Sequence, residues 1–500
     1  MASGLGTGRP ADNTRRCYRG RHRYTPIMGL VTVMGLGRFG GGAGVSRWLC
    51  ERGDRVLLTD SAPRAELEGP LATLSDLLTE GPPEPGRIAL RLGEHREEDF
   101  ADASLVVANV AVPRPEENRF LQAARRSGVP LTTEIRLAIG ELDRRGLTRI
   151  AGVTGSAGKS TTSALVRHLL GDAGRTSVLG GNFGGSLLGE IDSLDPDAFV
   201  TLELSSAMLG WLSAGAGSDS DAGWSPPVAA LTNLAVNHVD WHGSLEAYVA
   251  AKAQIRRDQR EGDAFFTRFM LESPDVSREI ARASADWWSD GALTGEPLPF
   301  DPDRLPLPLP GTHNRRNATL ALLMAAECLR RAGERADTEG LVARLADFRG
   351  LPHRLEVVHE RDGLRFVNDS KSTVPEATLL AVGSFPEPAR IHLIAGGYDK
   401  GSDLSPIREL APRLARLYAI GQTGPALLGP NVSDSRELEA AVTEAATRMR
   451  EGDILLLSPG CASWGQFVNF EARGERFRRL VEMLFPRESA EAVRPASTLA

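Results

Sequence analysis

Ala151-Gly152-Val153-Thr154-Gly155-Ser156-Ala157-Gly158-Lys159-Ser160-Thr161 is the stretch that decides the fold. An apolar run, Arg149–Val153, leads into it, and a helical pattern, Thr162–Leu170, leads out. A strand end, a glycine turn and a helix start form the setting of a phosphate-binding loop. Backbone N–H groups cradle phosphates, the lysine reaches the β- and γ-phosphates, and a hydroxyl binds Mg²⁺. The strict pattern has glycine where this chain has Val153, so the loop is a variant led by Gly155. Gly155, Gly158, Lys159, Ser160 and Thr161 are therefore candidate nucleotide ligands, with Ser160 also a candidate metal ligand. The loop implies ATP or GTP and leaves the reaction open.

Downstream, Glu203 stands near the end of an apolar strand, Phe199–Leu204, and Ser205-Ser206 follow it. A carboxylate at a buried strand end beside a phosphate loop is where a Mg²⁺ ligand belongs. A third apolar run, Val228–Asn233, ends in Asn237-His238-Val239-Asp240-Trp241-His242. Two histidines and an aspartate in so short a span suggest metal or phosphate chemistry. Lys252 then sits on a helix after Tyr248. As a cation, a lysine aimed at a metal cluster makes no electrostatic sense. Carbamylated, it carries negative charge and oxygen donors.

That lysine is one of four. Of 58 basic residues, only Lys159, Lys252, Lys371 and Lys400 are lysine; the other 54 are arginine. Arginine is always charged and forks its donors. Lysine is a compact point charge whose amine can lose its proton and be modified. Each lysine thus marks a place where guanidinium does not serve.

Upstream, Gly35-Leu36-Gly37-Arg38-Phe39-Gly40 follows the apolar run Val31–Met34 and opens toward a helix, with Asp60 after the next run, Val56–Thr59. This is the setting of a dinucleotide fingerprint, for NAD or another nucleotide diphosphate. Gly41, Gly42 and Gly44 are expected to lengthen the loop. Strand-like runs alternating with helical ones, such as Val45–Arg52 and Asn118–Ser127, continue through Leu105–Val110 and restart at Arg149. They restart again at Arg365–Asn368, Ile391–Ala395, Leu417–Ile420 and Ile454–Ser458. That alternation predicts three α/β units, each a parallel sheet covered on both faces. At about 150 residues per domain, 500 residues agree.

A net charge of −7 and a pI near 5.8 argue against a general nucleic-acid binder. No run of about 18 apolar residues occurs, so membrane insertion is not expected. Cys17, Cys50, Cys328 and Cys461 form no CxxC pair, which fits a reducing cytoplasm and argues against a disulfide framework or a cysteine zinc site. Residues 1–27 hold six arginines, one aspartate and no apolar core of a secretory signal, and read as a disordered basic tail; residues 487–500 also read as disordered.

Further motifs complete the pattern. They are Gly311-Thr312-His313-Asn314-Arg315-Arg316-Asn317-Ala318, Gly350-Leu351-Pro352-His353-Arg354, Asn368-Asp369-Ser370-Lys371-Ser372-Thr373, Gly396-Gly397-Tyr398-Asp399-Lys400-Gly401, and Ser458-Pro459-Gly460-Cys461-Ala462-Ser463 running on to Phe470-Glu471-Ala472-Arg473-Gly474. In this order, over about residues 30–485, the chain resembles the Mur ligase family, and its lysine-containing third-unit motifs favour the branch that adds D-glutamate.

The resemblance implies a Rossmann-like uridine-diphosphate domain at 28–134, a P-loop ATPase-like domain at 135–349 and a Rossmann-like amino-acid domain at 350–486. Leu36, Gly37, Asp60, Ser61 and Asn182 would bind the UDP-sugar substrate. Asn314, Asn317, Arg354 and Asp369 would hold adenosine and the γ-phosphate. Lys371, Thr373, Lys400, Ser463 and Phe470 would receive D-glutamate. Glu203, His238 and carbamylated Lys252 would organise two Mg²⁺ ions, His238 competing between metal ligand and base. The implied protein is a cytoplasmic monomer that activates UDP-N-acetylmuramoyl-L-alanine with ATP as an acyl phosphate, shielded from water by domain closure.

Asn237, Ala207-Met208, Val374 and Gly465 replace residues usual in the family. A ligase for a different amino acid and an inactive nucleotide-binding paralogue stay open as alternatives. A dehydrogenase, suggested by the first glycine loop alone, leaves the second loop unexplained.

Overall fold

The structure is a computed structural model that describes residues 29–36, 41–171, 175–217, 222–235, 239–267, 298–399 and 401–486. Gly37, His238 and Lys400, together with Asn237 and both expected tails, lie outside the described residues.

Sixteen described strands form three sheets. The first holds β1 (Leu30–Met34), β2 (Arg55–Asp60), β3 (Ile88–Leu92), β4 (Leu105–Ala108) and β5 (Leu131–Thr133), in the order β3-β2-β1-β4-β5 and parallel throughout. The second holds β6 (Ile150–Thr154), β7 (Ser177–Gly181), β8 (Phe199–Glu203), β9 (Val228–Leu231) and β10 (Ala264–Thr267), ordered β10-β9-β6-β8-β7 and again parallel. Every residue of β6, β8 and β9 is buried, which is why they read as unbroken apolar runs rather than alternating ones.

The third sheet holds β11 (Glu356–Arg361), β12 (Leu364–Asn368), β13 (Ile391–Gly396), β14 (Arg416–Ile420), β15 (Val432–Arg436) and β16 (Ile454–Leu457), ordered β11-β12-β16-β13-β14-β15. It departs from the all-parallel expectation at one edge, where β11 runs antiparallel to β12. The cause is local: Asp362 and Gly363 both take positive φ (51° and 72°), the two-residue hairpin turn that Asp-Gly favours.

The α/β class and the three successive sheets are as the sequence predicts. The chain nevertheless forms two compact units. One comprises Met1–Asp301 with Asn317–Val342 and carries the first two sheets; the other comprises Pro302–Arg316 with Ala343–Ala500 and carries the third. The first two sheets share a unit because one apolar cluster runs through both, from Val31, Trp48 and Leu58 to Leu187, Leu188, Ile191 and Leu202. Among the described residues no helix is long and apolar enough to cross a membrane.

Three neighbouring strands of the third sheet are stapled by a polar network. His392 on β13 meets the Tyr418 hydroxyl on β14 at 2.9 Å and Asp453, just before β16, at 3.3 Å. Burial holds the His392 imidazole below its ordinary pKa; Asp453 pulls it up, and Arg448 and Arg416 push it further down. A depressed histidine pKa gives stability that is complete above the unfolded value of about 6.5 and lost as pH falls through the folded value. Replacing His392 by Gln is therefore expected to lessen the fall in melting temperature between pH 7 and pH 5. Thermal melts at both pH values check it, and an unchanged slope contradicts the account.

Candidate active site

In a parallel sheet all carboxyl ends lie on one edge, so loops distant in sequence meet there. In the second sheet β6 is flanked by β8 and β9, which sets the phosphate loop between Glu203 and the segment after Leu231. The helix Lys159–Leu170 begins at the lysine itself, three residues before the helical pattern, with Gly158 as its left-handed N-cap (φ 80°). Glycine is required there for space as well: a Cβ on Gly158 would stand 2.6 Å from Asn317 Oδ1. The structure thus brings Asn317, on the helix Thr312–Arg331, against the loop.

Lys159 Nζ donates to the carbonyls of Gly155 (2.9 Å) and Ser156 (3.1 Å). Ser160 is buried and Thr161 half-buried. Asn233 fixes the loop, its Oδ1 accepting from the N–H of Ser156 (3.1 Å) and Ala157 (2.8 Å).

Glu203 is 1% exposed. Its Oε1 accepts from Asn182 Nδ2 at 2.8 Å, while Oε2 is buried with no hydrogen-bond partner. Lys252 is 2% exposed, and its amine donates to Gly155 O (2.9 Å) and Thr154 Oγ1 (3.3 Å). Burial first, then the neighbouring Lys159 ammonium, drive the Lys252 amine well below its ordinary pKa; Glu203 acts the other way. A lowered pKa enlarges the neutral, nucleophilic fraction of the amine.

Tyr248, one turn before Lys252, lays its ring 5.0 Å from that amine and hydrogen-bonds Ser156 Oγ at 2.6 Å. Neither Tyr248 nor Asn233 was singled out from sequence. The i, i+4 spacing of Tyr248 and Lys252 was the available signal for the first, since it puts both on one helix face. Ser205 caps the helix Ser206–Trp211, and the Ser206 hydroxyl meets His242 Nε2 at 2.9 Å.

After the first glycine loop the expectation that further glycines lengthen it is not met. Gly41, Gly42 and Gly44 belong to the helix Gly41–Glu51, and Gly42 lies too close to the Leu36 backbone to admit a Cβ. Both Asp60 oxygens are engaged by backbone, Oδ2 by Leu36 N–H and Oδ1 by Ala62 N–H, each at 2.9 Å. Leu36 is wholly buried, with its side chain in the core, whereas Ser61 is exposed.

In the other unit, β12, β16 and β13 are adjacent and parallel, so the segments after Asn368, Leu457 and Gly396 share an edge. Asp369 is buried there, accepting from Leu355 N–H (3.2 Å) and from the hydroxyls of Ser372 (2.5 Å) and Ser458 (2.8 Å). Burial raises its pKa to about 6, opposed by those hydrogen bonds and by Arg354. Lys371 Nζ lies 3.8 Å from the centre of the Phe470 ring. Thr373 lines a cavity of about 10 Å³ with Tyr398, Asp399, Thr423 and Cys461. Ser463 is buried beside it in sequence, and Asn314 is buried with its Nδ2 on Pro310 O at 2.7 Å. Gly465 takes φ 88°, a left-handed turn that glycine fits in place of the family's aspartate. Val374 is 47% exposed, and nothing in its surroundings explains its replacing asparagine.

A raised carboxylate pKa means stability that is complete below the ordinary value of 3.8 and lost as pH rises through about 6. That interval corresponds to roughly 3 kcal/mol at neutral pH. Asp369→Asn is therefore expected to raise the melting temperature relative to the parent by more at pH 8 than at pH 5. Equal differences at the two pH values, by calorimetry, contradict it.

Comparison with known proteins follows the same lines. Residues 153–294 match the Mur ligase middle domain. A UDP-N-acetylmuramoylalanine--D-glutamate ligase of Roseiflexus sp. (strain RS-1) is 36% identical, with 90% of this chain and 97% of the relative covered. One of Anaeromyxobacter dehalogenans (strain 2CP-C) is also 36% identical, covering 90% and 96%. The crystal structure of the UDP-N-acetylmuramate-alanine ligase MurC from Thermotoga maritima shares the fold, with a TM-score of 0.52 at 17% identity over 91% of this chain and 99% of that one. Similarity of this degree along nearly the whole of both sequences means that the chain belongs to the Mur ligase family.

Proposed function

We propose that the chain joins D-glutamate to UDP-N-acetylmuramoyl-L-alanine at the expense of ATP, through an acyl phosphate, in the cytoplasm, as a monomer. The observation that carries the reading is the Lys252 amine, 2% exposed, seated on the phosphate loop at Gly155 and coupled to Glu203. The names of the Roseiflexus and Anaeromyxobacter relatives supply the substrates. In this reading residues 28–134 hold the UDP-sugar through Leu36, Gly37, Asp60, Ser61 and Asn182. Residues 135–349 hold ATP, and residues 350–486 take the amino acid at Lys371, Thr373, Lys400, Ser463 and Phe470. Asn314, Asn317, Arg354 and Asp369 serve adenosine and the γ-phosphate.

A carboxylate is a poor acyl donor. Transfer of the γ-phosphoryl group from ATP to the substrate carboxylate makes a bond to a good leaving group and releases ADP. The D-glutamate amine then attacks the acyl carbon, the tetrahedral adduct expels phosphate, and the proton leaves to a base, a role for which His238 is a candidate in competition with its role as metal ligand. The loop amides and Lys159 neutralise charge on the phosphates. Lys371 and Lys400 offer point charges to the two carboxylates of D-glutamate.

Two Mg²⁺ ions fit the donor chemistry on one ground: the Glu203 Oε2 atom is buried without a hydrogen-bond partner, a state that a cation relieves. Among the described residues, which do not include His238, no three of His, Cys, Asp and Glu gather as a cage. Ser160, Glu203, His238 and carbamylated Lys252 would hold the ions. Carbamylation is addition of the neutral Lys252 amine to CO₂, with an N–C bond formed and a proton released. Bound Mg²⁺ supplies positive charge to the oxygens of the transferring phosphoryl group.

The reading is tested by supplying UDP-N-acetylmuramoyl-L-alanine, Mg-ATP and a panel of amino acids, and measuring phosphate release with amide product. D-Glutamate is expected to be the substrate turned over; turnover only with another amino acid replaces it. Lys252→Ala is expected to lose activity and to recover part of it with added short carboxylates. Full activity in that variant removes the carbamate from the mechanism.

A further inference from the structure

We infer that Arg473 is the positioning residue of the amino-acid site, gathering through one buried guanidinium the segments that carry Lys371, Thr373, Ser463 and Phe470. The inference rests on the reading above that these segments receive the amino acid.

Arg473 stands in the first turn of the helix Phe470–Leu484 and is 1% exposed. Its Nε donates to Ser370 Oγ (2.9 Å), one Nη to Ser370 O (2.8 Å) and the other to Cys461 O (3.1 Å). Ser370 Oγ in turn donates to Phe470 O at 2.8 Å. Ser370 immediately precedes Lys371, and Cys461 lies two residues before Ser463. A fourth segment closes on the same group: a Cβ on Gly397, just after β13, would come within 3.3 Å of Arg473 Nη1.

Nothing about the position favours a cation for its own sake. Among the described residues no carboxylate lies within ion-pair distance of Arg473, although Asp369 is near enough to be felt. Burial brings its pKa down to about 10. The first turn of a helix also disfavours positive charge through the macrodipole. What the site uses is the planar fork, which reaches a hydroxyl and two carbonyls in three directions at once. Lysine, with one compact ammonium on a flexible stem, cannot reproduce that geometry.

The test is steady-state kinetics of Arg473→Lys and Ser370→Ala in the full chain, with each of the three substrates varied in turn and a thermal melt alongside. In Arg473→Lys the KM for D-glutamate is expected to rise about ten- to a hundredfold, while those for ATP and the UDP substrate change by about twofold or less. The charge-conserving lysine is expected not to rescue. Ser370→Ala, which removes only the bridging hydroxyl, is expected to move the same KM in the same direction by less; it decides the matter if Arg473→Lys does not fold. An unchanged D-glutamate KM in both variants, or an equal rise in all three constants, overturns the inference. A parent enzyme that ignores D-glutamate overturns the substrate assignment instead, and the amino acid it accepts takes D-glutamate's place in the same measurement.

Discussion

A parallel strand delivers its carboxyl end to the same edge as its neighbours, and the chemistry of this molecule is arranged around that constraint. In the second sheet it puts the turn after β6 between Glu203 and Asn233, and leaves Lys252 to come in from a later helix. The turn itself tolerates no Cβ at Gly155 or Gly158, because Thr232 and Asn317 fill the space. The third sheet repeats the device without a phosphate loop: the segments after β12, β13 and β16 meet, and a buried arginine closes them.

Within each unit, charge is buried beside its edge, at a free-energy penalty in each case. Lys252 is held far below its normal pKa, Asp369 is raised to about 6 and Arg473 is lowered to about 10. None of the three has a full ion-pair partner within its unit among the described residues. In a fold selected for stability alone, such groups are better replaced by apolar ones of similar shape. Their burial beside the carboxyl edge of each sheet is the physical argument that the edges are built for ligands that bring charge of their own.

The strands that carry the core were legible because burial on both faces writes them as apolar runs. The strands missed, β3, β5, β7, β10, β11 and β15, are the six edge strands of the three sheets, whose pattern is short or mixed, such as Leu131-Thr132-Thr133 and Val432-Ser433-Asp434-Ser435-Arg436. The Asp362-Gly363 turn was readable as a hairpin and would have given the antiparallel edge. The merging of two sheets into one unit was not readable, since it depends on Trp48 and Leu49 packing in one cluster with Leu187 and Ile191, far along the chain.

Within the site, motif residues were legible as types but not as contacts. The four lysines illustrate the limit. Their rarity against 54 arginines marked Lys159, Lys252 and Lys371, and each of these three sits at the carboxyl edge of a sheet. The same count hid Arg473 among the other arginines. Its distinction is not its residue type but its surroundings: a side chain 1% exposed, donating to carbonyls rather than carboxylates, where many other described arginines pair with acids. Sparing use of one cation reports where a modifiable amine or a point charge is needed. Burial and hydrogen-bond direction are needed to find the guanidinium whose fork does the holding.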